Sequence, residues 1–215
     1  MRGEALMKMI VFEEVDKSFG ERKVLRNLSA VCCGGQITSV VGPNGCGKST
    51  FLKLAGHFML PDSGRVTIKE EDMVLQGEEL RMSLAYMSPE LRLYPRLTAL
   101  ENLSFFLGLR GIALDGRQYE EVLERVGILP EAVKRTRVGE FSTGMRQRLL
   151  FCVMLASKAD IWLLDEPGAN LDDEGRAMVL REIKRGAAEQ KLILLATNDG
   201  REGGAADEAI DLSGN

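Results

Sequence analysis

The sequence has no long hydrophobic run, although 45% of its 215 residues are hydrophobic. Its longest apolar stretch lies at residues 149–156, whereas a membrane-spanning helix needs about 20 predominantly apolar residues. The first residues also lack an apolar segment followed by a small-residue cleavage site, so no signal peptide is expected. We therefore expect a protein that does not itself cross a membrane, with the cytoplasm as its compartment.

The sequence also has a single histidine, no C-x-x-C pair of cysteines and no excess of positive charge. The chain has one histidine, His57, and its four cysteines include the adjacent Cys32 and Cys33 but no C-x-x-C spacing. The cysteine pattern therefore indicates reduced, mostly buried thiols rather than a metal site. The formal net charge is −4, which gives no sign of a nucleic-acid partner or of general binding to anionic membranes.

Strand-like apolar runs alternate with helical patterns along the chain. Such runs occur early, as at 9–15, and again later, at 161–164 and 192–196. This alternation predicts an α/β fold with a mainly parallel central sheet and an antiparallel β edge. Helical spacing across residues 90–150 predicts an inserted α-helical lobe within a single domain of residues 1–215.

The most specific motif is a glycine-rich segment between a strand and a helix: Gly42, Pro43, Asn44, Gly45, Cys46, Gly47, Lys48, Ser49 and Thr50. It matches G-x-x-x-x-G-K-[ST] in the context that this motif requires. Glycines let the backbone fold around an anion, and the exposed N–H groups with the positive helix end bind phosphates. The motif predicts a P-loop NTPase that binds ATP, with Lys48 at the terminal phosphates and Ser49 on Mg²⁺. The alternative is a merely flexible loop.

Two carboxylates, Asp165 and Glu166, end the apolar run at 161–164. In an α/β sheet, ligands bind at the carboxyl ends of the strands. Asp165 is therefore predicted to face Mg²⁺, usually through water, and Glu166 to orient or deprotonate the water that attacks the phosphate. Alone, such a run fits a surface cap equally well, but the phosphate loop upstream favours the catalytic interpretation.

A third segment separates these two motifs: Phe141, Ser142, Thr143, Gly144, Met145, Arg146, Gln147 and Arg148. It resembles the signature of ABC (ATP-binding cassette) proteins, usually L-S-G-G-Q, in a variant form. The resemblance covers essentially the whole chain, because all three motifs occur in the family's order. Ser142 also has the character of a helix N-cap, and the N-terminus of its helix would offer a second anion site. The alternative is that Ser142 only caps the helix.

The resemblance implies the ATP-hydrolysing subunit of a membrane transporter, working as a head-to-tail dimer. The dimer would be either a homodimer or a heterodimer with a related cassette. Signature residues 142–145 of one protomer would complete the nucleotide pocket of the other, and Asp172 would couple the two sites. Phe19 would stack on adenine, unless it is a core residue. The implied partner is a separate multi-pass membrane subunit, which places the chain peripherally on the inner face of the cell membrane.

Two positions depart from the family pattern. Asn198 stands where the family has a histidine switch, and it donates hydrogen bonds but cannot carry a proton. Hydrolysis is therefore expected to be possible but slow. Pro89 stands where the family has a glutamine that touches Mg²⁺, with Glu90 beside it as an oxygen donor. Ser88-Pro89 and Asn198 are similar to ATP-binding subunits of the haem-exporter type used in cytochrome c maturation.

Two alternatives stay open at this point. The first is a soluble ABC ATPase that acts on ribosomes or DNA, although such proteins usually have two cassettes or a long coiled-coil insert. The second is a regulatory cassette that binds ATP but barely hydrolyses it, an interpretation favoured by Asn198 and Pro89.

Overall fold

The computed structural model describes residues 7–129 and 135–214. The chain divides into two compact units. The first comprises Met1–Tyr86, Asp160–Glu166 and Ile183–Asn215, and the second comprises Met87–Ala159 and Pro167–Glu182. The predicted lobe, residues 90–150, falls within the sequence range of the second unit.

The described strands are β1 (Lys8–Phe19), β2 (Arg22–Cys33), β3 (Ile37–Val41), β4 (Ser63–Glu70), β5 (Met73–Val74), β6 (Leu84–Met87), β7 (Ile161–Asp165), β8 (Leu192–Ala196) and β9 (Glu208–Asp211). The described helices are α1 (Lys48–Ala55), α2 (Gly77–Ser83), α3 (Ala99–Gly108), α4 (Gly116–Arg125), α5 (Thr143–Ala156), α6 (Asp173–Ala188) and α7 (Gly200–Gly203), with a turn of 3-10 helix at Val138–Glu140. Within the described ranges, no helix is long and apolar enough to cross a bilayer.

The antiparallel sheet of the first unit has the strand order β2-β1-β4-β5. Strands β1 and β2 form a hairpin whose last pair is Phe19 opposite Arg22. Gly20 in the turn has φ 60°, a conformation that glycine adopts readily. The inward side chains of β1 are buried, and Phe12 stacks on Phe51 of α1 with ring centroids 4.3 Å apart. This packing fixes the hairpin against the helix that follows the phosphate loop.

The parallel sheet of the same unit has the order β6-β7-β8-β3-β9. Strand β8 pairs in parallel with β7 and with β3, and β3 pairs in parallel with β9. Every residue of β7 and β8 is buried, as expected for strands covered on both faces. The predicted α/β class, with a mainly parallel sheet and an antiparallel edge, is confirmed. The carboxyl ends of β3, β7 and β8 therefore meet at one edge of the sheet.

The second unit is mainly helical. Its apolar core includes Leu103, Leu107, Leu123 and Phe151, all fully buried. The fully buried Asn102 binds the loop before α3: its Oδ1 accepts from the Tyr94 N–H at 2.8 Å, and its Nδ2 donates to the carbonyls of Tyr94, Leu97 and Thr98. A buried amide is stable only when its polar atoms are paired, so this side chain shapes the loop.

Gly186 of α6 offers a test of the packing in the first unit. An added Cβ there would lie 2.7 Å from Cζ3 of the buried Trp162. Gly186→Ala gains helix propensity of about 1 kcal/mol, but overpacking costs about 1–3 kcal/mol. We expect a net loss of about 1 kcal/mol in the free energy of unfolding, because an indole ring in a packed core has little room to shift. Urea denaturation, followed by the fluorescence of Trp162, the only tryptophan, measures this change in the free energy of unfolding.

The matched control is Gly108→Ala in α3, where an added Cβ has no atom within 4 Å. It reports helix propensity alone and is expected to leave stability unchanged or to raise it. Equal stabilisation by both substitutions would contradict the packing of Trp162 on Gly186.

Candidate active site

The phosphate loop, residues 42–47, joins β3 to α1. Gly42 and Gly47 have φ 143° and 116°. An added Cβ at Gly47 would lie 2.5 Å from Cγ1 of Val24, and one at Gly42 would lie 2.6 Å from Sγ of Cys46. Only glycine fits both positions, for its conformation and for its size. Gly47 is also the N-cap of α1 and brings no side chain to it, so the N–H groups of the first helical turn are available for an anion.

The three predicted catalytic residues form one hydrogen-bonded chain. Lys48 is 8% exposed, and its Nζ donates to the Gly42 carbonyl at 2.8 Å and to Asn198 Oδ1 at 3.1 Å. On its other side, the Asn198 amide donates from Nδ2 to Glu166 Oε1 at 2.6 Å. Lys48, Asn198 and Glu166 follow β3, β8 and β7 respectively, so the parallel sheet brings them together.

Glu166 combines a strained backbone with a perturbed carboxyl. Its φ is 50°, in the left-handed region that few residues other than glycine adopt, and its N–H donates to the Ala196 carbonyl at 2.8 Å. Burial raises the pKa of Glu166 above its ordinary value of 4.5. The Asn198 N–H and the Lys48 charge oppose that rise, whereas the charges of Asp165 and Asp199 add to it. The strain and the raised pKa are both typical of a functional carboxylate.

The residues predicted for Mg²⁺ lie at the same sheet edge. Asp165 is 6% exposed at the end of β7, and Ser49 is in the first turn of α1. Mg²⁺ prefers oxygen ligands and is usually bound by one or two protein groups together with water and substrate phosphates. A hydroxyl and a carboxylate fit that donor set. Within residues 7–129 and 135–214, no group of three or more His, Cys, Asp or Glu side chains could bind a metal alone.

Phe19 ends β1 and is 50% exposed. The ammonium of Lys17 lies 5.7 Å from its ring centroid. The alternative that Phe19 is a core residue is therefore wrong, and the exposed ring can stack on a base. Arg22, which belongs to no sequence motif, pairs with Phe19 and donates from Nη2 to the Gly45 carbonyl at 2.6 Å.

The signature residues form a second cluster, in the helical unit. Ser142 caps α5, and its Oγ accepts from the Met145 N–H at 3.1 Å. Thr143 and Gly144 form the first turn, where an added Cβ on Gly144 would lie 3.2 Å from the Asn170 carbonyl. The start of α5 thus lies against the segment that leads to Asp172. As predicted, Ser142 is the N-cap of α5. The other N–H groups of the first helical turn have no partner within the helix.

Asp172 is anchored within this unit. Its Oδ1 accepts from the Gly175 N–H and from Arg148 Nη2, each at 2.8 Å. The Gly175 N–H and the Arg148 guanidinium lower the pKa of Asp172. These hydrogen bonds stabilise the start of α6. The side chain nevertheless remains 70% exposed to solvent.

Comparison with known proteins gives one consistent family. The profile of the family described as ABC transporter matches residues 25–169. The arginine transport ATP-binding protein ArtM of Bacillus subtilis is 30% identical, over 94% of this chain and 85% of ArtM. The linearmycin resistance ATP-binding protein LnrL of the same organism is 28% identical, over 82% of this chain and 57% of LnrL. The chain therefore spans most of ArtM but little more than half of LnrL.

Solved structures show the same fold. The dimeric structure of MJ0796, described as a bacterial ABC transporter cassette, superposes with a TM-score of 0.80 at 26% identity, covering 95% of this chain and 94% of that one. A dimer of the same cassette in a post-hydrolysis state, bound to ADP and phosphate, is 25% identical with a TM-score of 0.80.

We predict that Cys46 makes the phosphate loop sensitive to thiol reagents. Cys32 and Cys152 are fully buried, and burial raises the pKa of Cys32 to about 12, whereas Cys46 is only partly buried. Its Sγ lies against Gly42, so a bulky adduct must displace the loop. In a Cys33→Ser background, we expect stoichiometric labelling with N-ethylmaleimide to abolish ATP binding measured by calorimetry. The same treatment of a protein that also carries Cys46→Ser should leave binding intact. Full labelling of Cys46 with unchanged affinity would refute the prediction.

The raised pKa of Glu166 predicts where activity is lost in acid. A base must be ionised, so kcat/KM for ATP falls as the pH drops through the pKa of Glu166, which lies above 4.5. Asp199→Asn removes a charge that raises this pKa, while asparagine still caps a helix. We expect the acid limb of the variant to move to lower pH. Comparing the two proteins cancels the titration of ATP, and a limb that stays in place or moves upward would contradict the assignment.

Proposed function

The chain belongs to the ABC transporter family, and from that membership we propose that it powers a membrane transporter as its ATP-hydrolysing subunit. The observation that carries this proposal is the chain of hydrogen bonds from Lys48 through Asn198 to Glu166, beside the phosphate loop. It connects a cation suited to the terminal phosphates with a carboxylate suited to the attacking water.

The residues of this edge divide the work of hydrolysis. The N–H groups at the start of α1 and the Lys48 ammonium bind the phosphates, and Phe19 stacks on adenine. Ser49 and Asp165 would bind Mg²⁺, which neutralises charge on the phosphates. Glu166 orients the water and accepts its proton. The Asn198 N–H groups fix the Glu166 carboxylate, in the place of the family's histidine.

The signature cluster supports a second part of the proposal. Residues 142–145 present the N-terminus of α5 with a glycine in its first turn, which suits the close approach of an anion. We infer that this helix end completes the nucleotide pocket of a second cassette, with Asp172 coupling the two sites. The dimeric cassettes of similar fold are consistent with that arrangement. Whether the second cassette is another copy of this chain or a related one stays open.

A cleft in the helical unit is the candidate docking site for the membrane subunit. Its volume is about 530 Å³, and apolar side chains of Leu91, Leu93 and Leu150 line it together with the basic Arg92 and Arg146. Leu91 is 39% exposed, so the cleft offers apolar area to a partner. We propose that a short cytoplasmic helix of the membrane subunit, apolar with an acidic edge, occupies the cleft and holds the chain on the inner face of the cell membrane.

The cargo is a separate matter. The haem-exporter type is a prediction that rests on Ser88, Pro89 and Asn198 alone, and no comparison supports it. ArtM and LnrL are named for arginine transport and linearmycin resistance. The name of ArtM favours a transporter over the alternative of an ABC ATPase that acts on ribosomes or DNA.

Isolation from native membranes in mild detergent tests the transporter proposal. The unmodified chain is expected to co-purify with a multi-pass membrane protein near equal stoichiometry, identified by mass spectrometry. Leu91→Asp should lose that protein, because it places a charge in the apolar cleft. Leu60→Asp, which changes a leucine 77% exposed in the first unit, is the matched control and should retain it. Ribosomal or DNA-bound partners without a membrane protein would contradict transport.

Substitution of Asn198 tests the catalytic chain. Asn198→Ala removes the donor that lies 2.6 Å from Glu166 Oε1, so we expect kcat for ATP hydrolysis to fall about tenfold or more, with a smaller change in affinity. Asn198→His should raise turnover, since an imidazole donates and also exchanges a proton. Steady-state phosphate release measures both. Unchanged rates in both variants would show that position 198 has no part in hydrolysis.

A further inference from the structure

We propose that Arg22 is a second cationic residue of the nucleotide site and contacts the phosphate chain of the bound nucleoside triphosphate. The inference rests on the proposed ATP-binding role of the phosphate loop. Its first support is direct contact, because Arg22 Nη2 donates to the Gly45 carbonyl at 2.6 Å. Gly45 is a loop glycine that is itself exposed.

The register of the hairpin supplies a second support. Arg22 is directly opposite Phe19, and opposite residues of an antiparallel pair project from the same face. Val24 lies two residues further along β2, at a register shift in the hairpin. Val24 contacts the loop at Gly47. This end of β2 therefore meets the loop with an apolar contact and a cation, next to the aromatic ring predicted to stack on adenine.

The chemistry of the side chain favours a phosphate ligand. A guanidinium has several N–H donors in a planar fork that matches phosphate oxygens, and one of them binds Gly45. Neighbouring cations have other partners: Lys17 pairs with Asp62 at 2.6 Å, and the charge of Lys23 acts on Asp16. Arg22 is exposed, so its remaining donors are accessible to a ligand on the loop.

The competing explanation is that Arg22 only clamps the loop. The two roles differ in their response to charge and salt. A phosphate contact depends on the positive charge and weakens as salt screens it, whereas a clamp on a neutral carbonyl is much less sensitive to salt. The hydrogen bond of Arg22 is to the phosphate loop, so loss of a phosphate contact should affect KM rather than kcat.

Calorimetric titration with ATP at low and high salt separates them. We expect Arg22→Gln to weaken ATP binding about fivefold at low salt, as for one exposed charge-assisted hydrogen bond, and the gap to shrink at high salt. Arg22→Lys should recover part of the affinity. Lys23→Gln makes the same charge change on the opposite face of β2 and should bind like the unmodified protein. In hydrolysis, Arg22→Gln should raise KM with kcat within about twofold.

Either of two results would overturn the role of Arg22 without affecting the nucleotide site. One is that Arg22→Gln binds ATP as tightly as the unmodified chain. The other is that its loss of ATP affinity is independent of salt and is not recovered by Arg22→Lys. Failure of the unmodified chain to bind ATP would overturn the nucleotide site itself, and Arg22 with it. Thermal melting of each variant confirms that the folded state is equally stable.

Discussion

The carboxamide of Asn198, placed between an ammonium and a carboxylate, is the interaction on which the site depends. Its oxygen must face Lys48 and its nitrogen must face Glu166, because only that orientation pairs acceptor with donor on both sides. One small side chain thus connects the cation and the carboxylate. The connection exists only because β3, β7 and β8 run in parallel and end at one edge. The fully buried strands therefore position the residues of the site.

The residues at that edge of the sheet carry backbone strain and desolvation as well as function. Glu166 has a left-handed φ of 50°, a conformation that costs on the order of 1–3 kcal/mol. Its carboxyl is partly desolvated and lies near the charges of Asp165 and Asp199, while the Lys48 charge opposes them. The backbone bond from Glu166 to Ala196 ties the strained residue to the end of β8. Such a carboxylate is poised to accept a proton, and the sheet keeps it in position.

Local patterns in the sequence predict most of this arrangement. The glycines of the loop, the buried runs of β7 and β8 and the cap at Ser142 are each readable because spacing or residue type determines them locally. The short helix at Gly200–Gly203, which Asp199 caps, has no apolar periodicity that would indicate it in the sequence. The bridge from Asn198 was not predictable, because it depends on how β3, β7 and β8 align. The contact of Arg22 with Gly45 was not predictable either, because it depends on how the hairpin packs against the loop. Cargo and dimer partner lie outside the chain's own contacts.

The most direct test of the account is ATP turnover by the purified chain and by Glu166→Gln, with binding measured in parallel. Glutamine keeps the shape of Glu166 and an oxygen that accepts from Asn198, but it cannot accept a proton from water. We predict that the unmodified chain hydrolyses ATP and that the variant binds ATP with similar affinity while its kcat falls at least about 100-fold. Negligible turnover by the unmodified chain, unchanged by the substitution, would instead identify a regulatory cassette and contradict the account.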